Sequence, residues 1–367
     1  MTEEGNQEIQ NPQQDPWEER ILNLPHCYNV DQRLSLSLSL SLSLSLSLSL
    51  STRVSKKRRK PMKHKVRWMM ERPMAIPQAI LELQHPSMRE SALRSLSNFL
   101  ILKREEDRGN YNRTAFLLFN SCSTMAVLLQ EVLVFSRLLT DGTPTERASK
   151  RVVNVLTLFQ CIASNKETRY RFVKSCVPNF VLPLIQLEIP VKTSKNVRAV
   201  ALSVIGILCQ AREHWIIRWA LDSNMVELCW ISIEIGCEIS KVIGMHILEA
   251  ILHDDSGMSY ICSPTCDLLL KNLLRTWDHL VTSLAVDQDF SPRLLFHILR
   301  CYVLLCTHAW GLSMVRENLP DSLTDGSFAD LTQEFPLIAS LLQLLLLILG
   351  KVDNCSPSFL PDDLELY

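Results

Sequence analysis

Hydrophobic positions recur at three- and four-residue steps over most of this chain, and the pattern is clearest between residues 151 and 184. Val152, Val155, Leu156, Phe159 and Ile162 share one side of a helix, the spacing that a helix with a single buried face requires. Ser164-Asn165 interrupts that face, and Asn165 is placed to cap the helix or to take the left-handed conformation. A short helix over residues 166–174 follows, with Phe172 and Val173 turned inward. Pro178 suits the first turn of the next helix, where its missing N–H removes no bond.

The same order returns three times. Apolar helix ends at 202–209, 247–252 and 294–306 are each followed by a polar break and then a short helix, at 214–221, 258–262 and 309–318. With Ile162, Leu208, Leu252 and Cys306 as equivalent marks, the intervals are about 46, 44 and 54 residues. That period is close to the roughly 40–47 residues of armadillo and HEAT units, with one insertion. The fold class is therefore all-α, an armadillo-type α-solenoid of about six helical repeats.

Ahead of the clearest repeat, a short helix is expected over 80–83 and a second over 88–102, with Ser87 and Glu90 spaced as a capping box. Residues 105–112 read as a charged loop. Residues 116–139 read as one long apolar helix with Gln130 and Glu131 on its polar side, closed by the turn Asp141-Gly142-Thr143-Pro144. Segment 320–335 is looser. The apolar run 338–349 falls short of the roughly 18–20 residues that span a bilayer, so it reads as a terminal solenoid helix or a partner-covered patch, and no membrane is expected.

The armadillo body is assigned to 76–350, with a flexible tail over 351–367. Residues 1–75 read as a disordered extension: a Gln-, Glu-, Asn- and Pro-rich start, a strict Leu-Ser alternation over 34–50, and a basic run. A chain truncated to begin near Pro73 should stay soluble, helical and cooperative in a thermal melt; loss of folding on truncation would move that boundary. The basic run holds Lys56, Lys57, Arg58, Arg59 and Lys60, the composition of a nuclear import signal, and cytoplasm and nucleus are the expected locations. The whole chain carries a net charge of −1, but residues 51–70 hold nine basic and no acidic residues, leaving about −10 for the rest. The body is thus not a generally basic nucleic-acid binder.

Catalytic chemistry finds little support. His253-Asp254-Asp255 has suitable residue types, but it stands where Asp caps the next helix. Cys262 and Cys266 lack a second ligand pair at zinc-site spacing. Other cysteines, such as Cys161, Cys209, Cys229 and Cys301, lie on apolar helix faces as reduced, buried thiols of a cytosolic or nuclear protein. No enzyme activity, cofactor or metal is expected. The third helix of each armadillo unit lines a groove, and its polar positions are the candidate binding site: Arg151, Asn154, Lys195, Arg198, Lys241, Arg293 and Arg300, with Arg147, Lys150 and His297 alongside. Arg and Lys in a ladder can grip an extended backbone or phosphates, so weak, salt-dependent binding of single-stranded nucleic acid is expected there.

The residues also carry a resemblance. Residues 125–132 (MAVLLQEV), 151–154 (RVVN), 158–164 (LFQCIAS), 251–257 (ILHDDSG), 260–262 (YIC) and 293–295 (RLL), with His297 and Arg300-Cys301-Tyr302, keep family order over about 260 residues. In these the chain resembles the "required for cell differentiation" family, the armadillo-repeat subunit of the Ccr–Not deadenylase complex. The resemblance implies a non-catalytic adaptor that binds the large Not scaffold subunit and recruits regulator peptides or mRNA for deadenylation, mRNA decay and translational repression, with a homodimer left open. Family members typically carry Phe-Glu-Tyr-Leu-Arg ahead of the helix that holds Val204-Ile205-Gly206; here Lys195-Asn196-Val197-Arg198 stands in that region, and Trp215, Trp219 and Trp230 are extra, as repacked core or a shifted peptide pocket. The alternative reading is an import-receptor-like armadillo protein, or a transcriptional cofactor, holding peptides in its groove.

Overall fold

Helix-period segments separated by polar breaks fold here as successive α-helices, in a computed structural model that describes residues 75–186, 192–286 and 291–351, without the side chains of Glu105 and of residues 192–195. The expected disordered extension as far as residue 74, with the basic run Lys56 to Lys60, and the tail from residue 352 lie outside the described residues, as does the side chain of Lys195.

The first helices are α1 (Ile76–Glu82), α2 (Pro86–Glu106), α3 (Arg108–Asn120), α4 (Thr124–Thr140) and α5 (Glu146–Ser164). Next come α6 (Lys166–Lys174), α7 (Leu182–Ile185), α8 (Lys192–Cys209), α9 (His214–Asp222), α10 (Met225–Ile235) and α11 (Glu238–Leu252). The last are α12 (Asp255–Ile261), α13 (Asp267–Val286), α14 (Pro292–Leu305), α15 (Ala309–Glu317), α16 (Ala329–Glu334) and α17 (Pro336–Ile348).

Every third helix packs on the next, in the series α2, α5, α8, α11, α14, α17. This ladder supplies one helix per unit and six units. The other helices stack in their own layers, α3 on α6, α9 on α12 and α10 on α13. Each unit thus buries its apolar face against its neighbours, the way a solenoid makes a continuous core. Val152, Val155, Leu156, Phe159 and Ile162 are all buried, as the helical spacing requires, and so are Phe172 and Val173. Close approach in the ladder uses Gly206 on α8, where a Cβ would stand 3.2 Å from Ile243 of α11.

The repeat is visible in one local device. Thr168 donates its hydroxyl hydrogen to the carbonyl of Ile162, six residues back, at 2.7 Å. At the equivalent points of later units, Gly257 and Gly311 face the carbonyls of Ile251 and Leu305, also six residues back, so closely that a Cβ would collide with them. The last carbonyls of a ladder helix are closed over by the short helix that follows, either through a hydroxyl or through backbone contact.

Several local expectations are corrected. Residues 105–112 are not a loop: α2 and α3 meet at Asp107, whose side chain accepts from the Asn110 N–H at 3.0 Å. Segment 116–139 is two helices that meet at 84°. There Asn120 and Ser121 donate side-chain bonds to the carbonyls of Phe116 and Leu117, which competes with helix continuation, and Ser123 takes a left-handed φ of 62°. Ser87 lies inside α2 rather than at its cap, and Glu90 pairs with Arg147 instead of closing a capping box. Asn165 is the cap of α6, accepting from the Glu167 N–H at 2.8 Å, with an extended backbone and not a left-handed one. Among the described residues no single helix is long and apolar enough to cross a membrane.

Candidate functional site

Two arginine-bound carboxylates lie in or against the ladder, one on α4 and one on α11. Glu131 on α4, expected on a polar side, is buried instead. It is gripped from α2 by Arg89 at 3.2 Å and from α5 by Arg151 at 2.6 Å. One buried carboxylate thereby ties three helices of the first units, and the local sum of charge is positive by one. Beside it, Arg147 bridges to Glu90, and that exposed pair holds the Glu90 carboxyl below its ordinary value through the Arg147 hydrogen bond.

Glu249 on α11 repeats the arrangement farther along. His297 on α14 donates from Nδ1 to its Oε2 at 2.7 Å, while Arg300 Nε lies 3.0 Å and Arg212 Nη2 3.5 Å from its Oε1. Arg300 also donates to His253 Nε2 at 3.2 Å, which requires that nitrogen to be unprotonated because a guanidinium offers no acceptor. Burial by itself would raise the Glu249 carboxyl, but the His297 hydrogen bond and the charges of His297 and Arg300 outweigh it and hold the group well below the usual carboxylate range. His246, one turn before Glu249, packs its ring edge-on to His297 with centroids 5.5 Å apart. Burial, with His297 adding to it, pushes the His246 imidazole down to about 4.

The sequence-predicted groove residues fall on successive ladder helices, in different surroundings. Arg151 and Arg300 are anchored in separate carboxylate clusters on α5 and α14, with α8 and α11 between them in the ladder. Asn154, Arg198 and Lys241 are half-buried, and Arg293 is exposed at the start of α14. His297 is buried, so it belongs to the Glu249 cluster and not to an open groove. Glu131, Glu249, Arg89, Arg212 and His246 were not singled out by sequence as site residues; the one available signal was the His246–Glu249 spacing of three, which sets both on one helix face.

The remaining candidates have structural roles. Asp254 caps α12 through the Ser256 N–H at 3.0 Å and accepts from His214 at 2.9 Å. Trp215 packs edge-on to Tyr170, Trp219 donates to Asn179 and Trp230 to Thr276, which ties neighbouring layers together. Of the ten described cysteines, seven are buried, and burial pushes the Cys209 and Cys306 thiols up to about 12. Such thiols are poor nucleophiles.

Comparison with known proteins agrees with this architecture. Two designed armadillo repeat proteins superpose on the chain, one with a TM-score of 0.52 at 14% identity, covering 75% of this chain and 99% of that one. The other, solved in complex with the peptide (KR)4, gives 0.51 at 13% identity and covers 75% and 100%. "Cell differentiation protein rcd1" of Schizosaccharomyces pombe is 32% identical over 267 residues, 71% of this chain and 88% of that protein. "Protein CAF40" of Saccharomyces cerevisiae is 30% identical over 260 residues, 70% of this chain and 65% of that protein. Residues 79–349 match the family described as "Cell differentiation family, Rcd1-like", and the chain, an all-α armadillo-type solenoid over that same span, belongs to it.

Proposed function

We propose that this chain is a non-catalytic adaptor of the Ccr–Not complex, docking on the large Not scaffold subunit and presenting its ladder face to regulator peptides or mRNA. The observation that carries this reading is family membership across the whole solenoid, residues 79–349. A non-catalytic role is supported by the repeat solenoid itself and by Glu131, whose buried carboxylate is held by arginines from two other helices. Residual positive charge at both clusters favours an anionic or polar partner over the basic peptides of an import-receptor-like groove. Localisation to cytoplasm and nucleus is part of the proposal.

The test is co-purification of the tagged full chain with the scaffold and the deadenylase subunits; recovery of neither sinks the reading. Nucleic-acid contact is tested separately. Charge reversal at Arg300 would set a second carboxylate against Glu249 and damage the fold, so Arg293→Glu with Lys241→Glu is the cleaner pair. The double variant should lower affinity for single-stranded RNA at least tenfold in low salt and flatten its salt dependence, with scaffold recovery unchanged. Binding equal to the parent would exclude this stretch of the ladder as the contact.

A further inference from the structure

We propose that His246, Glu249 and His297 form a zinc site that clips α11 to α14. The donor atoms of the three side chains all lie within 4.8 Å of one another. His246 and Glu249 are three apart on α11, hence on one face, and His297 comes from the adjacent ladder helix. His246 Nε2 is buried and has no hydrogen-bond partner. A buried ring nitrogen without a partner, on a histidine whose donor atom lies this near two other ligand-type groups, is free to take a metal without giving up a bond. Two imidazoles and one carboxylate, with a fourth position for water, are a ligand set suited to tetrahedral zinc.

The two oxygens of Glu249 divide the work. Oε1 faces Arg300 and Arg212, while Oε2 faces His297. The guanidiniums thus occupy the outer shell, orienting the carboxylate as second-layer partners commonly do. Zinc takes Oε2 and His297 Nδ1, and the proton that Nδ1 donated to Oε2 is released to solvent as the ion binds. Ligand atoms of a tetrahedral zinc are about 3.3 Å apart, so side-chain rotation of less than about 2 Å closes the set. Two positive neighbours make the site weaker than a thiolate zinc finger, and the bound ion exchangeable. Its role is to brace the interface between two repeats, independent of the partners proposed above.

The test uses the full-length protein stripped with chelator and titrated with cobalt(II), then with zinc. Expected are visible d–d bands saturating at one cobalt per chain without a thiolate charge-transfer band, and a zinc-dependent rise in melting temperature. His246→Ala and His246→Phe should both lose the bands and the zinc-dependent rise while melting in chelator within a few degrees of the parent, since His246 Nε2 gives up no hydrogen bond. Reading two variants keeps a folding failure in one from hiding the result. A featureless cobalt spectrum in the parent, a thiolate band, or bands that persist in both variants would overturn the proposal.

Discussion

Phe159→Ala is expected to lower the free energy of unfolding by about 3–5 kcal/mol. The ring is fully buried on α5 and meets Phe172 of α6 edge-on, with centroids 5.5 Å apart and planes at 61°. α5 also packs against α2 on one side and α8 on the other. Truncation therefore leaves a cavity where the ladder and the short-helix layer meet. In a stack whose stability sums unit and interface terms, one such defect weakens a unit and its couplings at once. Urea unfolding followed by circular dichroism measures the loss. Leu268→Ala, at a side chain 72% exposed on α13, is the matched control and should change stability by less than about 0.5 kcal/mol. Equal midpoints for Phe159→Ala and the parent would mean that α5 is rotated from the orientation described.

Phe159 also illustrates what was legible in the sequence. A helix buried on one face writes its period into the chain, and in α5 the period named every buried apolar position it singled out. The polar breaks were legible for the same reason, because Asn165 and Asp254 act through short side chains on backbone two residues away. The break at residues 121–123 was missed although Asn120-Ser121-Cys122-Ser123-Thr124 interrupts the apolar run, because helical spacing resumes directly beyond it; Asn120 and Ser121 end the helix there by bonding to its last carbonyls. The α2–α3 junction was missed as well, where a run of charge mimics a loop. The site was legible only in half. Arg151 and Arg300 were visible as polar positions on ladder helices, but their partners are 20 and 51 residues away in sequence. A buried glutamate looks in sequence like a solvated one, and only the fold shows that Glu131 and Glu249 sit under arginines from other helices.

Glu249→Ala is expected to destabilise the protein by about 3 kcal/mol, because removing one member of a buried ion cluster strands the others. Glu249 is 4% exposed, and its removal takes away the carboxylate 3.0 Å from Arg300, whose side chain is 12% exposed. Arg212 is more open, at 32%, and can turn to water, so its share of the loss is small. His297, itself buried, loses the carboxylate that accepts its Nδ1–H. Glu249→Gln keeps an acceptor for one donor and should cost less, about 1–2 kcal/mol, which separates lost charge from lost shape. Acid sensitivity provides the second readout, with chelator present so that protons alone are varied. The Glu249 carboxyl is held below its ordinary value in the folded chain, so its contribution is complete above about pH 4.5 and is lost as the pH falls through the lowered value. The parent should therefore lose stability steeply below that point, while Glu249→Gln, already weaker at neutral pH, should lose less on the same descent. Parallel pH profiles for the two would show that the Glu249 carboxylate is not what joins α11 to α14.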